Sequence, residues 1–337
     1  MTADPIEIRA LRSDEARKLV DCVRRCYGET YVDPGQYDAD RIAREIAEGR
    51  RHALVAISDS GAVIGHMGIT LRRRGDITAD AGMTLVDPAH RGRGISHQLG
   101  AAIARTGRAL GLVGAHDYPV TVHGATQRIG ADHGFDTGLL LDNMPADVAF
   151  EEMERTAGAS RSASLIRYLP LSPAPERTLY VPQRYEAIVR WLCARARLPR
   201  ELATAREHAP ASASEIAVRE DDRRDVQRIA LVTPGVNAIA DITSLLRDGP
   251  GAPATSQIDL PLGDPAIPAI AEALWERGFF YGGLLPEYRD GDVLRLQRPA
   301  APASARPAPV LESETARALC RFVLRDAADP REPAPAR

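Results

Sequence analysis

The stretch "VDPAHRGRGISHQLG", residues 86–100, limits the possible folds of this chain more than any other. Pro88 stops the strand-like run "DAGMTLV" ahead of it. Behind it, Ile95, Leu99, Ala102, Ile103 and Leu110 recur at the spacing of a helix with one buried face. Two arginines alternate with two glycines between these elements. Amides at a helix start lack intrahelical partners, and the helix dipole makes that end slightly positive. Glycine lets the turn bend and lets an anion reach the backbone; arginine adds charge-assisted hydrogen bonds. Arg91, Gly92, Arg93, Gly94, Ile95 and Ser96 therefore form a cradle suited to a diphosphate. The plain alternative is a basic strand–helix turn without a ligand. The dinucleotide fingerprint is a poor match, and the Lys–Ser/Thr pair of a Walker loop is absent.

The flanking pattern is mixed α/β. "IEIRALR" alternates as a strand, and "SDEARKLVDCVRRCYG" follows as a helix with Ser13 as its expected N-cap. "DADRIAREIAEG" reads as a second helix, and "HALVAISDSGAVIGHMGITLRR" as two strands around a tight turn. After the arginine–glycine turn come a strand in "GLVGAHDYPVTVH", a short helix in "GATQRIGADHGF", and strands in "DTGLLLDNMP" and "ASLIRYLPL". The front half is mostly antiparallel, unlike a doubly wound nucleotide fold. From about residue 178 the pattern partly recurs: "TLYVP", "QRYEAIVRWLCARARL", "SEIAVREDDRRDVQRIALV", "VNAIADITSLLRDG", "SQIDLPL", "PAIPAIAEALWERGFF" and "VLRLQRP". "LWERGFFYGGLL" echoes "GADHGFDTGLLL". The expectation is two related domains, 1–168 and 175–300. A Pro/Ala-rich linker, a short amphipathic helix "SETARALCRFVLRDA" and a disordered tail would fill 301–337.

Of the 337 residues 44% are apolar and 26% charged, with a formal net charge of −3. That balance argues against general nucleic-acid binding. No apolar run is long enough to cross a bilayer, and the N-terminus has no basic start with an apolar core, so a cytoplasmic protein is expected. Cys22, Cys26, Cys193 and Cys320 show no metal-ligand spacing, and no metal is expected. His66 reads as a strand histidine, and Trp191 and Trp275 as core. The "RRRG" at 72–75 reads as a solvated strand end, with attraction for an acidic acceptor or a CoA phosphate as the alternative.

A strand ending in Val-x-Pro, then "RGRGIS", then an amphipathic helix, resembles the acetyl-CoA site of the GNAT N-acetyltransferase superfamily, whose signature is Arg/Gln-x-x-Gly-x-Gly/Ala. Arg91 and Gly94 fit, and Ser96 stands in for the last small residue. "RCYGETYVDPGQYDADRI", "TVHGATQ" and "GDVLRLQRP" resemble a bacterial subgroup with a second, degenerate GNAT-like domain. The resemblance covers roughly residues 5–300. It implies two α+β domains, each a mainly antiparallel twisted sheet flanked by helices, the second without a pyrophosphate loop.

The implied reaction is attack of an amine on acetyl-CoA or a related acyl-CoA. An ammonium of pKa about 10.4 must lose its proton near neutrality, at a cost of about 4–5 kcal/mol, so a base matters. The resemblance points to Asp80, on the strand leading to the turn, with Glu29 as a second candidate. Leu85, Val86 and the turn would hold the cofactor, and backbone amides of 84–86 would polarise the thioester. Tyr27 and Tyr31 would line an acceptor pocket. Family members often carry an acid Tyr four residues before the Gly of "GF"; here that place is Gly130. His123, Thr126 and Tyr118 are the nearby substitutes. The expected acceptor is a small-molecule or peptide amine, with no nucleic acid or membrane partner, and a monomer or homodimer is expected. The alternatives are a non-catalytic acyl-CoA sensor and, more remotely, a decarboxylase or thioesterase on the same scaffold.

Overall fold

The computed structural model describes residues 6–129, 134–148, 161–204, 211–301 and 307–328. Strands β1 (Glu7–Ala10), β2 (Arg51–Ile57), β3 (Val63–Thr70) and β4 (Thr78–Val86) open the chain with helices α1 (Ala16–Tyr27) and α2 (Ala39–Ala47). Helix α3 (Ile95–Ala109), strand β5 (Gly114–Asp117), the short α4 (Ala125–Ile129), β6 (Phe135–Met144) and β7 (Ser162–Pro170) follow. Next come β8 (Arg177–Leu179), α5 (Gln183–Arg195), β9 (Arg200–Leu202), β10 (Glu215–Asp221), β11 (Val226–Thr233) and α6 (Ala238–Leu245). Strand β12 (Thr255–Pro261), α7 (Ile267–Trp275), β13 (Phe280–Leu285), β14 (Val293–Pro299) and α8 (Glu314–Ala328) complete it.

Twelve strands form one mixed, mainly antiparallel sheet, β1-β2-β3-β4-β5-β7-β6-β13-β14-β12-β11-β10. The series β3-β4-β5-β7-β6 and β10-β11-β12-β14-β13 run in the same order, each with a single parallel pair, β4 with β5 and β11 with β12. They meet where β6 pairs β13 through Gly138 and Gly283. A Cβ on Gly138 would stand 2.2 Å from the Gly282 carbonyl oxygen, so the joint admits no side chain there. Strand β13 is a correction to the sequence reading, which ran "ALWERGFF" on as helix. Gly278, at φ +83°, ends α7, and the amide of Phe279 turns back onto the Leu274 carbonyl at 3.1 Å.

Three apolar layers flank the sheet. Ile95, Leu99 and Ile103 press α3 onto one face of β2–β4, while Leu19, Val23 and Ile42 press α1 and α2 onto the other. A larger core, with Tyr185, Ile258 and Leu274, fills the second half and extends under α8. Ser13 does not cap α1; it begins a short 3-10 turn whose Glu15 grips Arg9 at 2.7 and 2.9 Å. The end of the Pro/Ala-rich segment docks back on the first half: Val310 N–H donates to the Thr121 carbonyl at 2.8 Å, and Glu312 pairs with Arg128 at 2.6 Å. Helix α8 then covers the β6–β13 joint, where Asp326 accepts from Tyr185 Oη and the Tyr281 amide. The tail expected to be disordered, 329–337, lies outside the described residues. All four cysteines are buried.

Candidate functional site

The arginine–glycine turn is held open from its root. Asp87 caps a 3-10 turn by accepting from the Ala89 amide at 3.1 Å, and Arg25 of α1 clamps the same carboxylate at 2.5 Å. The chain then runs through Gly92 at φ +75° and Gly94 at φ +71° into α3. Nothing lies within 4 Å of where either glycine's Cβ would stand. Glycine is thus required by backbone conformation there and not by crowding, and the space in front of the turn is clear. Ile95 and Leu99, 2% and 0% exposed, fix the helix, so its first amides point into that space.

The strand leading to the turn opens a slot. β4 pairs with β5 only from Thr78 to Asp80, and beyond that the two strands diverge. On its other edge β4 carries a bulge at Met83, whose φ is +52°. His66 holds the bulge, its Nδ1 2.9 Å from the Met83 carbonyl oxygen. With an acceptor opposite, Nδ1 carries the proton. Burial pushes the pKa of His66 down to about 4, so the ring is neutral. This is the strand histidine expected from the sequence, with a specific job: it bends the edge Gly82–Val86 away from β5.

Turn and slot are one cavity of about 1320 Å³. Leu85, Val86 and all six residues from Arg91 to Ser96 line it, as do Tyr27, Tyr31 and His123. The two tyrosine rings meet at a tilt of 57°, 4.8 Å between centroids, and burial raises both phenols, Tyr31 to about 12. The imidazole of His123 is pushed down by burial and by Arg128. Asp80 and Glu29 do not line the cavity. Asp80 Oδ1 accepts from Arg72 at 2.8 Å, and Glu29 is an exposed partner of Arg24 at 2.8 Å. Gly130 lies outside the described residues. The "RRRG" strand end is not simply solvated: Arg72 is half-buried over the Tyr288 ring, and Arg73 reaches Asp290 of the second half.

Asp117 is a cavity residue that the sequence pattern does not single out. It ends β5 directly across the slot from the diverging part of β4, and it lines the cavity. Burial pushes its carboxyl up to about 6, against the pull of Arg167 and a hydrogen bond from the Tyr118 amide at 2.8 Å. Its signal was a carboxylate at the C-terminal end of a short buried strand, beside the Tyr118 that was noticed.

Residues 16–121 match the family model described as Acetyltransferase (GNAT) family, so the chain carries a GNAT acetyltransferase domain there. No curated protein matches the chain. Among solved structures, the spermidine N-acetyltransferase of Vibrio cholerae in complex with CoA and spermine is 12% identical, with 50% of this chain and 96% of that one covered and a TM-score of 0.39. An N-acetyltransferase of Staphylococcus aureus Mu50 is 16% identical, with 50% and 99% covered and a TM-score of 0.40. Among the described residues no helix is long and apolar enough to cross a membrane.

Proposed function

We propose that the chain transfers an acyl group, acetyl by preference, from coenzyme A to a primary amine. The open turn at 91–96 continuous with the slot between β4 and β5 carries this reading. Arg91 and Arg93 with the first amides of α3 grip the diphosphate. The pantetheine arm lies along Thr84–Val86 as an added strand would, and an amide of that edge polarises the thioester carbonyl. The amine nitrogen attacks that carbon, the C–S bond breaks, and CoA leaves as thiolate. One proton leaves the amine and one reaches the sulfur. Asp117 is suited to both transfers: a carboxyl near 6 is mostly ionised at neutral pH and accepts the first proton, then returns it to the thiolate. In this reading Asp80 steadies Arg72 and stays out of the proton path, and Glu29 takes no part. His123, neutral and on the cleft wall, is the second candidate proton carrier.

The second half, 175–300, acts as a domain without a cofactor site that walls the acceptor side. A non-catalytic acyl-CoA sensor is the competing reading, favoured by Gly130 at the place where the family resemblance puts an acid tyrosine. Release of CoA from acetyl-CoA over a panel of amines decides between them. The transferase releases CoA only with an amine present, and Asp117→Asn lowers kcat by about 10²–10⁴-fold while acetyl-CoA affinity holds. Tight acetyl-CoA binding with no amine-dependent release overturns the enzyme in favour of the sensor. Full activity in Asp117→Asn with loss in Asp80→Asn or His123→Gln moves the base to that residue.

A further inference from the structure

In the second half one sheet face is core and the other polar. Ile229, Ile258 and Leu296 are in register on the core side. The alternate row places Arg228, Gln257, Asp259, Arg295 and Gln297 on the opposite face. Four guanidinium groups gather there, and their partners do not balance them. Asp259 takes Arg295 at 2.6 and 2.8 Å, and Asp80 takes Arg72 at 2.8 Å. Arg228 bonds only the neutral Gln257 Oε1, at 3.1 and 2.9 Å. Arg289 makes no side-chain ion pair among the described residues, and its buried Nε has no partner. Arg295 is fully buried, yet its Nη1 also has none.

Asp76 also stands 3.9 Å from Arg72 but is shared with Arg73; Arg228 and Arg289 still face no carboxylate at ion-pair distance among the described residues, a costly arrangement unless an anion completes it. Arg228, Arg289 and Arg72 are half-buried and not sealed, so an anion has access. None of the four arginines lines the cavity itself; Tyr118 connects the two. Tyr118 lines the cavity, and the same phenol lies within electrostatic reach of Arg228, Arg295, Asp80 and Tyr288. Arg72 and Arg295 both lie over the Tyr288 ring, at 4.2 and 5.3 Å.

Resting on the acyl-transfer reading, we propose that the acceptor is an amine that also bears an oxyanion, a carboxylate or a phosphate, and that Arg228 and Arg289 with the free Nη1 of Arg295 hold it. Planar guanidinium groups suit either oxyanion. A polyamine, lacking the anion and repelled by the cluster, is a poor acceptor.

The test has a binding arm and a turnover arm. In the first, the melting temperature of CoA-saturated protein is compared in phosphate, succinate and chloride at equal ionic strength. CoA occupies the 91–96 turn, so a further rise reports another anion site, and the better anion shows which oxyanion is preferred. The rise is expected in wild type and lost in Arg228→Gln, whose own rise with CoA shows that it is folded. No rise above chloride, or an equal rise in the variant, overturns the proposal. Failure of CoA itself to stabilise instead overturns acyl transfer; the anion comparison is then read in the Arg91→Ala/Arg93→Ala background. In the second arm, CoA release with phenylalanine and O-phosphoethanolamine is compared with phenethylamine and spermidine. An anionic amine is expected to exceed its neutral counterpart about tenfold or more in kcat/KM, Arg228→Gln to erase that advantage, and Arg228→Lys to restore part of it. Equal use of both kinds of amine overturns the proposal.

Discussion

Two turns at equivalent places in the two halves meet opposite fates. The turn between β4 and α3 spans two arginines and two left-handed glycines and opens on empty space. The turn between β11 and α6 is shorter, "PGVN"; it borders an open groove of about 780 Å³, but the chain takes up its amides. There the Val236 amide donates to the Ala211 carbonyl at 2.9 Å, and the Gly235 amide to Ser214 Oγ at 3.2 Å. A Cβ on Gly235 would stand 2.3 Å from the backbone of residues 213 and 214. Gly92 and Gly94 are needed for their left-handed backbone, with open space beyond; Gly235 is needed because the chain already fills the room. A shared topology therefore does not imply a shared site; the donors must also be left available.

The comparison can be broken at several points. Arg91→Ala with Arg93→Ala removes two charge-assisted contacts, together about 4 kcal/mol of cofactor binding, and should abolish the thermal shift with acetyl-CoA. Arg277→Ala, beside the turn after β11, should leave that shift unchanged; calorimetric titration of both variants checks it. Gly138→Ala forces a methyl into the Gly282 carbonyl and should cost about 3 kcal/mol in denaturant unfolding, since the halves share that ladder.

Two buried groups on the cofactor side should leave opposite marks on stability against pH. His66 is depressed from 6.5 to about 4, so its contribution is complete above 6.5 and lost as pH falls towards 4, about 3 kcal/mol in all. Asp117 is raised from 3.8 to about 6, so the fold loses stability as pH rises across that window. Asp117→Asn should then stabilise the protein by about 2–3 kcal/mol at neutral pH, while His66→Gln flattens the acid limb. Urea midpoints from pH 4 to 8 read both. The smallest effect should come from Gly94→Ala, about 1 kcal/mol of strain at φ +71°, with room for the methyl; the matching Gly235→Ala meets backbone and should cost more.

The turn, the helix behind it and the strand ahead were legible because proline, glycine and apolar period act locally. Tyr27, Tyr31 and His123 line the cleft. What escaped was set by tertiary pairing. β13 looks like the end of a helix until Gly278 turns it, and only the joint with β6 gives "FYGGLL" a partner. Asp117 looks ordinary in "AHDYP"; its raised pKa comes from burial, against the pull of Arg167, which only the folded chain supplies. Asp80 is singled out by its position on the strand; its partner Arg72 comes from tertiary structure. The imbalance of arginines was invisible because Arg72, Arg228, Arg289 and Arg295 meet only in three dimensions.

The sheet that runs unbroken through Gly138 and Gly283 leaves no hinge between the halves. Under the proposed acyl transfer, donor and acceptor then meet in a cleft that no movement between the halves closes. Turnover by such an enzyme is then expected to follow how fast each ligand slips in and out, and a viscous solvent should slow it more than a destabilising mutation would.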